Sequence, residues 1–499
     1  MTVDAETLDQ LLLAGSAILL LAILAVRATV AVGFPSLLIY LGMGLVLGDA
    51  GLGIQFSDAN TAQALGYAAL VVILAEGGLT TSWSETKSAA PIGVVLATVG
   101  LALSIAVVSA GAHYLLDLRW QLAVLLGAVI SSTDAAAVFS VLRNVPIPRW
   151  LRGILEAESG LNDAPTVVLV VLVSTNSVKE DGVLAVFGEV VYELAAGMLI
   201  GLVVGFGAAW VLRRVALPAS GLYPLSVFAF IVLAYAGTTA LQASGFAAVF
   251  VSAVVLGNSE LPHRAPTRSF TEGLAWLAQI GLFIMLGLLA SPESFTWGQA
   301  GIGVAAGLIL TFVARPVSVL LCSLPFRLPF RQQALLSWGG LRGAVPIVLT
   351  TIPLADAVDG SLKLFNIVFV MVVIFTLMTG PTLPWVARRL HLGRDGTLRD
   401  VEVEAAPLER IAADLLQVHV TPESLLHGVD ISELRLPAGT SVSLIVRSDA
   451  SFTPNRSTTL ARGDDLLIVT PRKAREATER RLQSVSRRGR LASWGPSDG

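Results

Sequence analysis

Long apolar stretches separated by short polar loops make up most of this 499-residue chain. A helix needs about 20 apolar residues to cross the hydrocarbon core of a bilayer, which is roughly 30 Å thick. Hydrophobic residues account for 54% of the chain and charged residues for 14%, so the pattern predicts an all-α polytopic membrane protein. We place thirteen spans, at roughly 8–26, 35–49, 62–80, 91–115, 121–143, 151–175, 183–212, 222–240, 243–257, 272–290, 298–323, 333–354 and 363–387.

Lysine and arginine are unevenly divided between alternate loops, which indicates the direction of the spans. Short cytoplasmic loops are enriched in these residues. One set of loops holds most of them, whereas the opposite set holds only Arg119, Lys179 and Lys363. We therefore expect an external N-terminus and a cytoplasmic C-terminus. The first span begins next to Asp4, Glu6 and Asp9 rather than after a basic region and lacks a convincing cleavage site, so we expect it to be retained. The expected location is the inner membrane of a bacterium.

Charge and cysteine content argue against several other classes of protein. The net charge is −3, which does not attract nucleic acid. The single cysteine, Cys322, permits no disulfide framework. The five histidines form no pair with the spacing of metal ligands on a helix. We expect no nucleic-acid partner, no resident metal cofactor and no enzymatic activity.

Two carboxylates interrupt spans five and six at similar depths. At 1.5 Å per helical residue, Asp134 lies about 20 Å from the external end of its span, and Asp163 lies about 18 Å from the cytoplasmic end of the next. An ionisable residue at the middle of a bilayer costs about 3 kcal/mol on insertion scales and usually serves transport. Both residues are therefore candidates for carrying cations or protons.

Helical spacing groups the polar residues of span six. Ser159 and Asp163 are four residues apart and share one face, and Glu158 and Asn162 share a neighbouring face. A hydroxyl and a carboxylate on one face supply oxygen ligands of the kind that hard cations prefer. This face is the predicted cation site.

Spans five and twelve carry signals of a break in mid-membrane. In span five, Thr133 offers another hydroxyl, and unwound backbone there would offer carbonyl oxygens to an alkali cation. Ser131 and Ser132 could instead bond back to their own helix. In span twelve, the run at 339–346 combines three glycines with a proline. Paired interrupted helices indicate a transport site between inverted repeats, although the chain shows no plain internal sequence repeat.

Two arginines lie within apolar spans and provide charge partners for buried carboxylates. Arg342 is in span twelve, and Arg315 is in span eleven. Buried charges require such partners. Glu76, near the cytoplasmic end of span three, is one possible partner for Arg315.

These motifs resemble those of the NhaP-type monovalent cation/proton antiporters, over roughly residues 8 to 390. The resemblance lies in the thirteen spans, the Thr-Asp run at 133–134 and the Glu-Ser-x-x-Asn-Asp run at 158–163. It implies the antiporter fold, with inverted repeats and two broken crossing helices. It also implies that Asp163 is the exchanging carboxylate and that Ser159 and Thr133 help to ligate potassium or sodium.

The resemblance assigns supporting roles to further residues. Glu158 is expected to pair with Arg342, and Asn162 is expected to hold the broken helices together. Asp134 is expected to compensate the helix-end dipoles at the crossover, and Glu76 to lie near the cation entrance.

The residue after Asp134 is alanine, whereas the commoner sodium exchangers have proline there. This variant resembles the potassium/proton branch of the family. We expect electroneutral, one-for-one exchange of cytoplasmic potassium for external protons, by alternating access around Asp163, because this carboxylate holds either one proton or one cation. A sodium/proton antiporter would use the same residues. A ligand-gated cation channel is a further alternative, although no filter sequence such as Thr-Val-Gly-Tyr-Gly is present.

The C-terminal region has the composition of a small soluble α/β domain in the cytoplasm. Short strands are predicted near 416–420, 441–446 and 464–470. Residues of roughly 407 to 472 resemble the TrkA C-terminal (RCK_C) regulatory domain, which implies a homodimer and a small ligand such as a cyclic dinucleotide or another nucleotide. NAD is not expected, since no strand is followed there by Gly-x-Gly-x-x-Gly. We divide the chain into a transmembrane domain (1–392), a linker (393–406), the regulatory domain (407–484) and a disordered tail (485–499).

Overall fold

The computed structural model describes residues 5–32, 35–49, 51–133, 147–175, 182–340, 342–392, 401–408, 413–421, 424–448 and 450–489. Contacts divide the chain into two units, Met1–Arg394 and Asp395–Gly499. Within the described residues, seven helical segments are long and apolar enough to cross a membrane: Ala59–Thr80, Ala90–Tyr114, Ala185–Arg214, Leu222–Ala240, Arg264–Leu289, Trp297–Phe326 and Ser361–Arg389.

The helices of the first unit follow the order of the predicted spans. They are α1 (Ala5–Val32), α2 (Ser36–Leu47), α3 (Ala59–Thr80), α4 (Trp83–Thr86), α5 (Ala90–Val95), α6 (Leu101–Tyr114), α7 (Trp120–Ser131), α8 (Arg149–Ser174), α9 (Val183–Arg214), α10 (Leu222–Ala240), α11 (Gly245–Asn258), α12 (Arg264–Leu289), α13 (Trp297–Ile309), α14 (Arg315–Ser323), α15 (Phe330–Trp338), α16 (Ala344–Ala355) and α17 (Ser361–Arg389). Each predicted span overlaps at least one of these helices. The number of membrane crossings stays a prediction.

Helix packing separates the first unit into two bundles. Helices α1–α3 and α9–α12 pack mainly on one another and form what we call the scaffold bundle. Helices α5–α8 and α13–α17 form the core bundle. The bundles meet where α8 and α16 of the core bundle pack on α3, α11 and α12 of the scaffold bundle.

Irregular features of the helices recur with an offset of seven spans. A π-helical turn interrupts span four at Leu96–Gly100, and another interrupts span eleven at Leu310–Ala314. Helix α7 of span five ends at Ser131, and span twelve is broken between α15 and α16. In the predicted arrangement consecutive spans cross in alternate directions, so elements seven spans apart run in opposite directions. The prediction of inverted repeats with broken helices is therefore confirmed.

Glycines allow helices of the scaffold bundle to pack with their backbones in contact. A Cβ on Gly44 of α2 would overlap the backbone of α12 at Ile284, and a Cβ on Gly257 of α11 would overlap the backbone of α3 at Leu79. Small residues provide this close approach in membranes, where lipid tails are as apolar as the side chains. The first contact joins spans two and ten, and the second joins spans nine and three. Because span nine corresponds to span two and span ten to span three in the seven-span repeat, the two contacts are equivalent.

The second unit contains a five-stranded antiparallel sheet. The strands are β1 (Val401–Leu408), β2 (Ala413–Val420), β3 (Ser441–Arg447), β4 (Ala450–Phe452) and β5 (Asp465–Pro471), in the order β1-β2-β5-β3-β4. Alternate residues of β2 and β5 are buried, as expected of a sheet with one face in a core. The predictions of β2, β3 and β5 are confirmed, and β1 and β4 were missed.

Two predicted boundaries of the second unit are wrong. The proposed linker extends to residue 406, but Val401 pairs with Val420 as part of strand β1. The proposed disordered tail begins at Val485, but helix α18 (Arg475–Arg488) includes this residue. Leu482 and Val485 are three residues apart on one helix face, and both are buried in the core of the unit. Hydrophobic burial therefore orders a segment whose polar composition favoured disorder.

Candidate functional site

The polar residues of spans five and six meet where α7 ends. Beyond Ser131 the chain becomes extended at Ser132, whose φ and ψ are −60° and 141°. The Ser132 hydroxyl donates a 2.7 Å hydrogen bond to Oδ1 of Asp163, in the middle of α8. The alternative that Ser132 only bonds back to its own helix is therefore wrong. Asp163 is 5% exposed, so its carboxylate lies inside the protein.

A second group of hydrogen bonds ties Thr133 to α8. The hydroxyls of Thr133 and Ser159 lie 3.0 Å apart, and Nδ2 of Asn162 donates a 2.6 Å hydrogen bond to Oγ1 of Thr133. The Thr166 hydroxyl donates to the Asn162 carbonyl at 2.7 Å. Asn162 therefore joins the broken end of span five to α8, and its predicted role of holding the broken helices together stays a prediction.

Two buried oxygens of this group make no hydrogen bond with the residues that the structure describes. They are Oδ1 of Asn162 and Oγ of Ser131. Buried polar atoms usually have a partner, and those without one are candidates for contact with a ligand. Asp163, Ser159 and Thr133 give the site one carboxylate and two hydroxyl oxygens, which suits a hard cation.

The predicted ion pair between Glu158 and Arg342 is wrong, because Arg315 takes that place. Nη1 and Nη2 of Arg315 donate to the two carboxylate oxygens of Glu158, the second bond measuring 2.8 Å. The side chains of Arg315 and Glu158 are 5% and 2% exposed. Nη2 of Arg315 also donates to the Leu336 carbonyl at 3.3 Å. This pair connects α8 with the start of α14 and the first half of broken span twelve.

Arg342 instead binds backbone oxygens at the two helix breaks. Its Nε donates a 2.7 Å hydrogen bond to the Ile130 carbonyl near the end of α7, and its Nη1 donates to the Gly340 carbonyl. The C-terminal end of a helix carries partial negative charge, which a guanidinium stabilises. The Thr376 hydroxyl of α17 donates to the Arg342 carbonyl at 2.7 Å. These backbone contacts were missed, since no residue spacing indicates them.

Gly340 permits both arginines to approach the break in span twelve. A Cβ at this position would lie 2.8 Å from Nη1 of Arg342 and 2.9 Å from Nε of Arg315. Both distances are too short for a side chain, so any substitution would displace one guanidinium. The glycine cluster, which predicted a broken helix, therefore also makes room for the charged groups.

The predicted roles of Asp134 and Glu76 stay predictions. Asp134 lies outside the described residues. Glu76 is half-buried in α3, one turn before the helix ends at Thr80. Its predicted place near the cation entrance stays a prediction.

Comparison with known proteins places both units in recognised families. Residues 16–389 match the family described as sodium/hydrogen exchanger, transmembrane. Residues 415–483 match the TrkA-C domain.

The chain is also similar to individual proteins over most of its length. It is 32% identical to the K(+)/H(+) antiporter NhaP2 of Shewanella sp. (strain MR-4), over 95% of this chain and 83% of the relative. It is 35% identical to the K(+)/H(+) antiporter NhaP of Alkalimonas amylolytica, over 82% of this chain and 71% of the relative. The fold is similar to that of the sodium proton antiporter MjNhaP1 of Methanocaldococcus jannaschii, with a TM-score of 0.66 and 21% identity, covering 78% of this chain and 100% of that structure.

Proposed function

Because this chain belongs to the sodium/hydrogen exchanger family, we propose that it exchanges cytoplasmic potassium for external protons by alternating access around Asp163. The observation that carries this proposal is the buried group of Asp163, Ser132, Thr133 and Ser159 at the break in span five. Asp163 and Ser159 of this group lie on α8, which packs on α3 and α11 where the two bundles meet. Relative movement of the bundles would expose this site to one side of the membrane at a time.

The exchange is one-for-one and electroneutral. Asp163 holds either a proton or a monovalent cation, and both loaded forms have the same charge. Glu158 and Arg315 compensate each other, and Asn162 is an uncharged amide. Arg342 adds a positive charge next to carbonyl oxygens. This charge is the same whether Asp163 holds a proton or a cation. Each crossing therefore moves the same net charge, so a complete cycle moves none.

Potassium is the proposed cation because relatives at 32% and 35% identity are named K(+)/H(+) antiporters. The alanine after Asp134 agrees with this assignment. The oxygen ligands of the site would also accept sodium, so the transport assay must compare the two ions.

The second unit is proposed to regulate transport from the cytoplasm. It matches the TrkA-C domain, and we expect it to bind a small ligand, such as a nucleotide, in a homodimer. The arginine-rich loops and this unit would face the cytoplasm of a bacterium, with the N-terminus outside.

The proposal is tested by measuring proton efflux from everted vesicles when potassium or sodium is added. The native chain is compared with Asp163→Asn, which keeps the size of the side chain and removes its negative charge. Asp356→Asn is the matched control, because Asp356 is exposed just beyond the end of α16.

We expect potassium to release protons from vesicles with the native chain and with Asp356→Asn, and to release none with Asp163→Asn. A stronger response to sodium would keep the mechanism and refute the choice of cation. Potassium flux without proton movement would refute exchange and favour a channel. Net charge movement in the coupled cycle would refute electroneutrality.

A further inference from the structure

Two described connections lead from the scaffold bundle to the core bundle, and their geometry is alike. After α3, Thr81 and Ser82 are extended, with ψ angles of 118° and 111°. After α12, Ala290 and Ser291 are extended, with ψ angles of 113° and 107°. A short helical segment follows each pair, namely α4 in the first connection and Pro292–Ser294 in the second. The seven-span repeat relates the two connections.

Both short segments contact helices of the core bundle. Helix α4 packs on α8, the helix that carries Asp163. In the second connection, Nδ2 of Asn366 in α17 donates to the Ser294 carbonyl at 3.0 Å. The rings of Phe295 and Phe369 of α17 lie 5.5 Å apart between centroids. Each extended pair therefore lies at the boundary between the two bundles.

Asn258 of the scaffold bundle spans the first extended pair. Its Oδ1 accepts a 2.8 Å hydrogen bond from the Trp83 backbone N–H, at the start of α4. Its Nδ2 donates to the Thr81 carbonyl at 2.9 Å and to the Val254 carbonyl of its own helix at 2.8 Å. One amide side chain therefore holds both ends of the Thr81–Ser82 junction to the end of α11.

The second junction is held differently. Asn366 belongs to the core bundle and is 1% exposed, and it binds Ser294 and Gln299, which come after the extended pair. Among the described residues, no side chain of the scaffold bundle spans Ala290 and Ser291 as Asn258 spans the first pair. In the described residues, a side chain of the scaffold bundle therefore holds the first junction, whereas a side chain of the core bundle binds next to the second.

We propose that Thr81–Ser82 and Ala290–Ser291 are hinges about which the core bundle moves, and that Asn258 is a positioning residue that holds the first hinge in the orientation seen here. The proposal rests on alternating access in the proposed function. Extended pairs between helices absorb changes of φ and ψ without loss of helical hydrogen bonds. Movement of α4 relative to α11 must stretch or break the Asn258 contacts, so these contacts favour one of the two orientations.

Loss of these contacts would change the equilibrium between the two orientations. The apparent affinity for a cation on one side of the membrane scales with the fraction of protein whose site opens to that side. The ratio of the half-saturating cation concentrations on the two sides therefore follows the equilibrium constant. One or two hydrogen bonds usually contribute about 0.5–1.5 kcal/mol to an equilibrium, so we expect this ratio to change by about threefold to tenfold.

The experiment measures half-saturating potassium concentrations and maximal rates in everted and right-side-out vesicles of the full-length protein. The variants are Asn258→Ala, which removes all three contacts, and Asn258→Asp, which keeps the acceptor for Trp83 and removes both donors. Arg268→Gln is the control. Nη2 of Arg268 donates to the Thr80 carbonyl at 2.9 Å, and both residues lie on the scaffold side of the hinge.

We expect Asn258→Ala to move the two half-saturating concentrations in opposite directions. Asn258→Asp should do so as well, because its carboxylate repels the Thr81 and Val254 carbonyls, and Arg268→Gln should leave the ratio unchanged. General damage would lower the maximal rate in both kinds of vesicle without changing the ratio. An unchanged ratio in Asn258→Ala, or an equal change in Arg268→Gln, would overturn the proposal. If Asn258→Ala yields no folded protein, the ratio in Asn258→Asp decides. Absence of coupled flux in the native chain would instead refute the proposed function.

Discussion

The geometry of the Glu158–Arg315 ion pair predicts how much stability the protein loses when one partner is removed. The two groups share two hydrogen bonds, and both side chains are almost fully buried. Arg315→Gln would leave the Glu158 carboxylate buried without its charge partner, which costs about 3–5 kcal/mol. Loss of the bond to the Leu336 carbonyl adds about 1 kcal/mol. We expect Glu158→Gln to cost a similar amount, because it leaves the guanidinium of Arg315 unpaired.

A double-mutant cycle isolates this pair from other effects of each substitution. The free energy of unfolding is measured in detergent micelles for Glu158→Gln, Arg315→Gln and the double variant. We expect a coupling of about 3 kcal/mol, since the double variant leaves no unpaired charge.

The matched control is the same cycle with Arg342→Gln in place of Arg315→Gln. Arg342 donates to the Ile130 and Gly340 carbonyls, so its coupling to Glu158 should be below about 1 kcal/mol. A larger coupling to Arg342 than to Arg315 would refute the pairing described above.

Three further changes have defined outcomes. Ser132→Ala removes the hydrogen bond to the Asp163 carboxylate. Since a bond to a charged group is worth about 1.5–3 kcal/mol, we expect the half-saturating potassium concentration in the vesicle assay to rise by about tenfold to a hundredfold. An unchanged value would exclude this bond from cation binding. Asn162→Asp adds a second carboxylate beside Asp163, so transport should respond to membrane voltage, as measured with a potential-sensitive dye; voltage-independent exchange would contradict the charge accounting. In the second unit, Arg447 pairs with the fully buried Asp464, and this contact raises the pKa of the arginine. Arg447→Ala should lower the local stability of β3 and β5 by about 2 kcal/mol, measured by hydrogen exchange in the full chain. Equal protection in both proteins would show that Asp464 is satisfied without Arg447, by its hydrogen bond from the Ala461 backbone N–H.

Much of the fold follows from local properties of the sequence. The apolar stretches predicted the positions of the helices, because a helix must satisfy its own backbone polar groups in lipid. The glycines at 339–343 predicted the break in span twelve, and three strands of the second unit followed from their composition. Strand β1 was missed because its place in the sheet depends on pairing with β2. The last turn of α18 was missed because burial of Val485 orders a segment whose own composition is polar.

The inverted repeat was also predictable from the sequence only in part. The breaks in spans five and twelve were visible as serine, threonine and glycine clusters. The π-helical turns in spans four and eleven, and the separation into two bundles, were not visible in any residue pattern. Helix packing decides these features, since it depends on side chains from distant parts of the chain.

The sequence by itself determined which residues of span six share a face, because a four-residue spacing has one geometric consequence in a helix. Ser159 and Asp163 therefore form one side of the site wherever α8 lies in the protein. Only the tertiary structure decided which arginine meets Glu158. Arg315 and Arg342 have the same charge and similar reach, and both lie more than 150 residues along the chain from Glu158. The fold brings Arg315, at the start of α14, within reach of the Glu158 carboxylate. It places Arg342 beside the carbonyl groups that the broken helix ends leave without a helical partner.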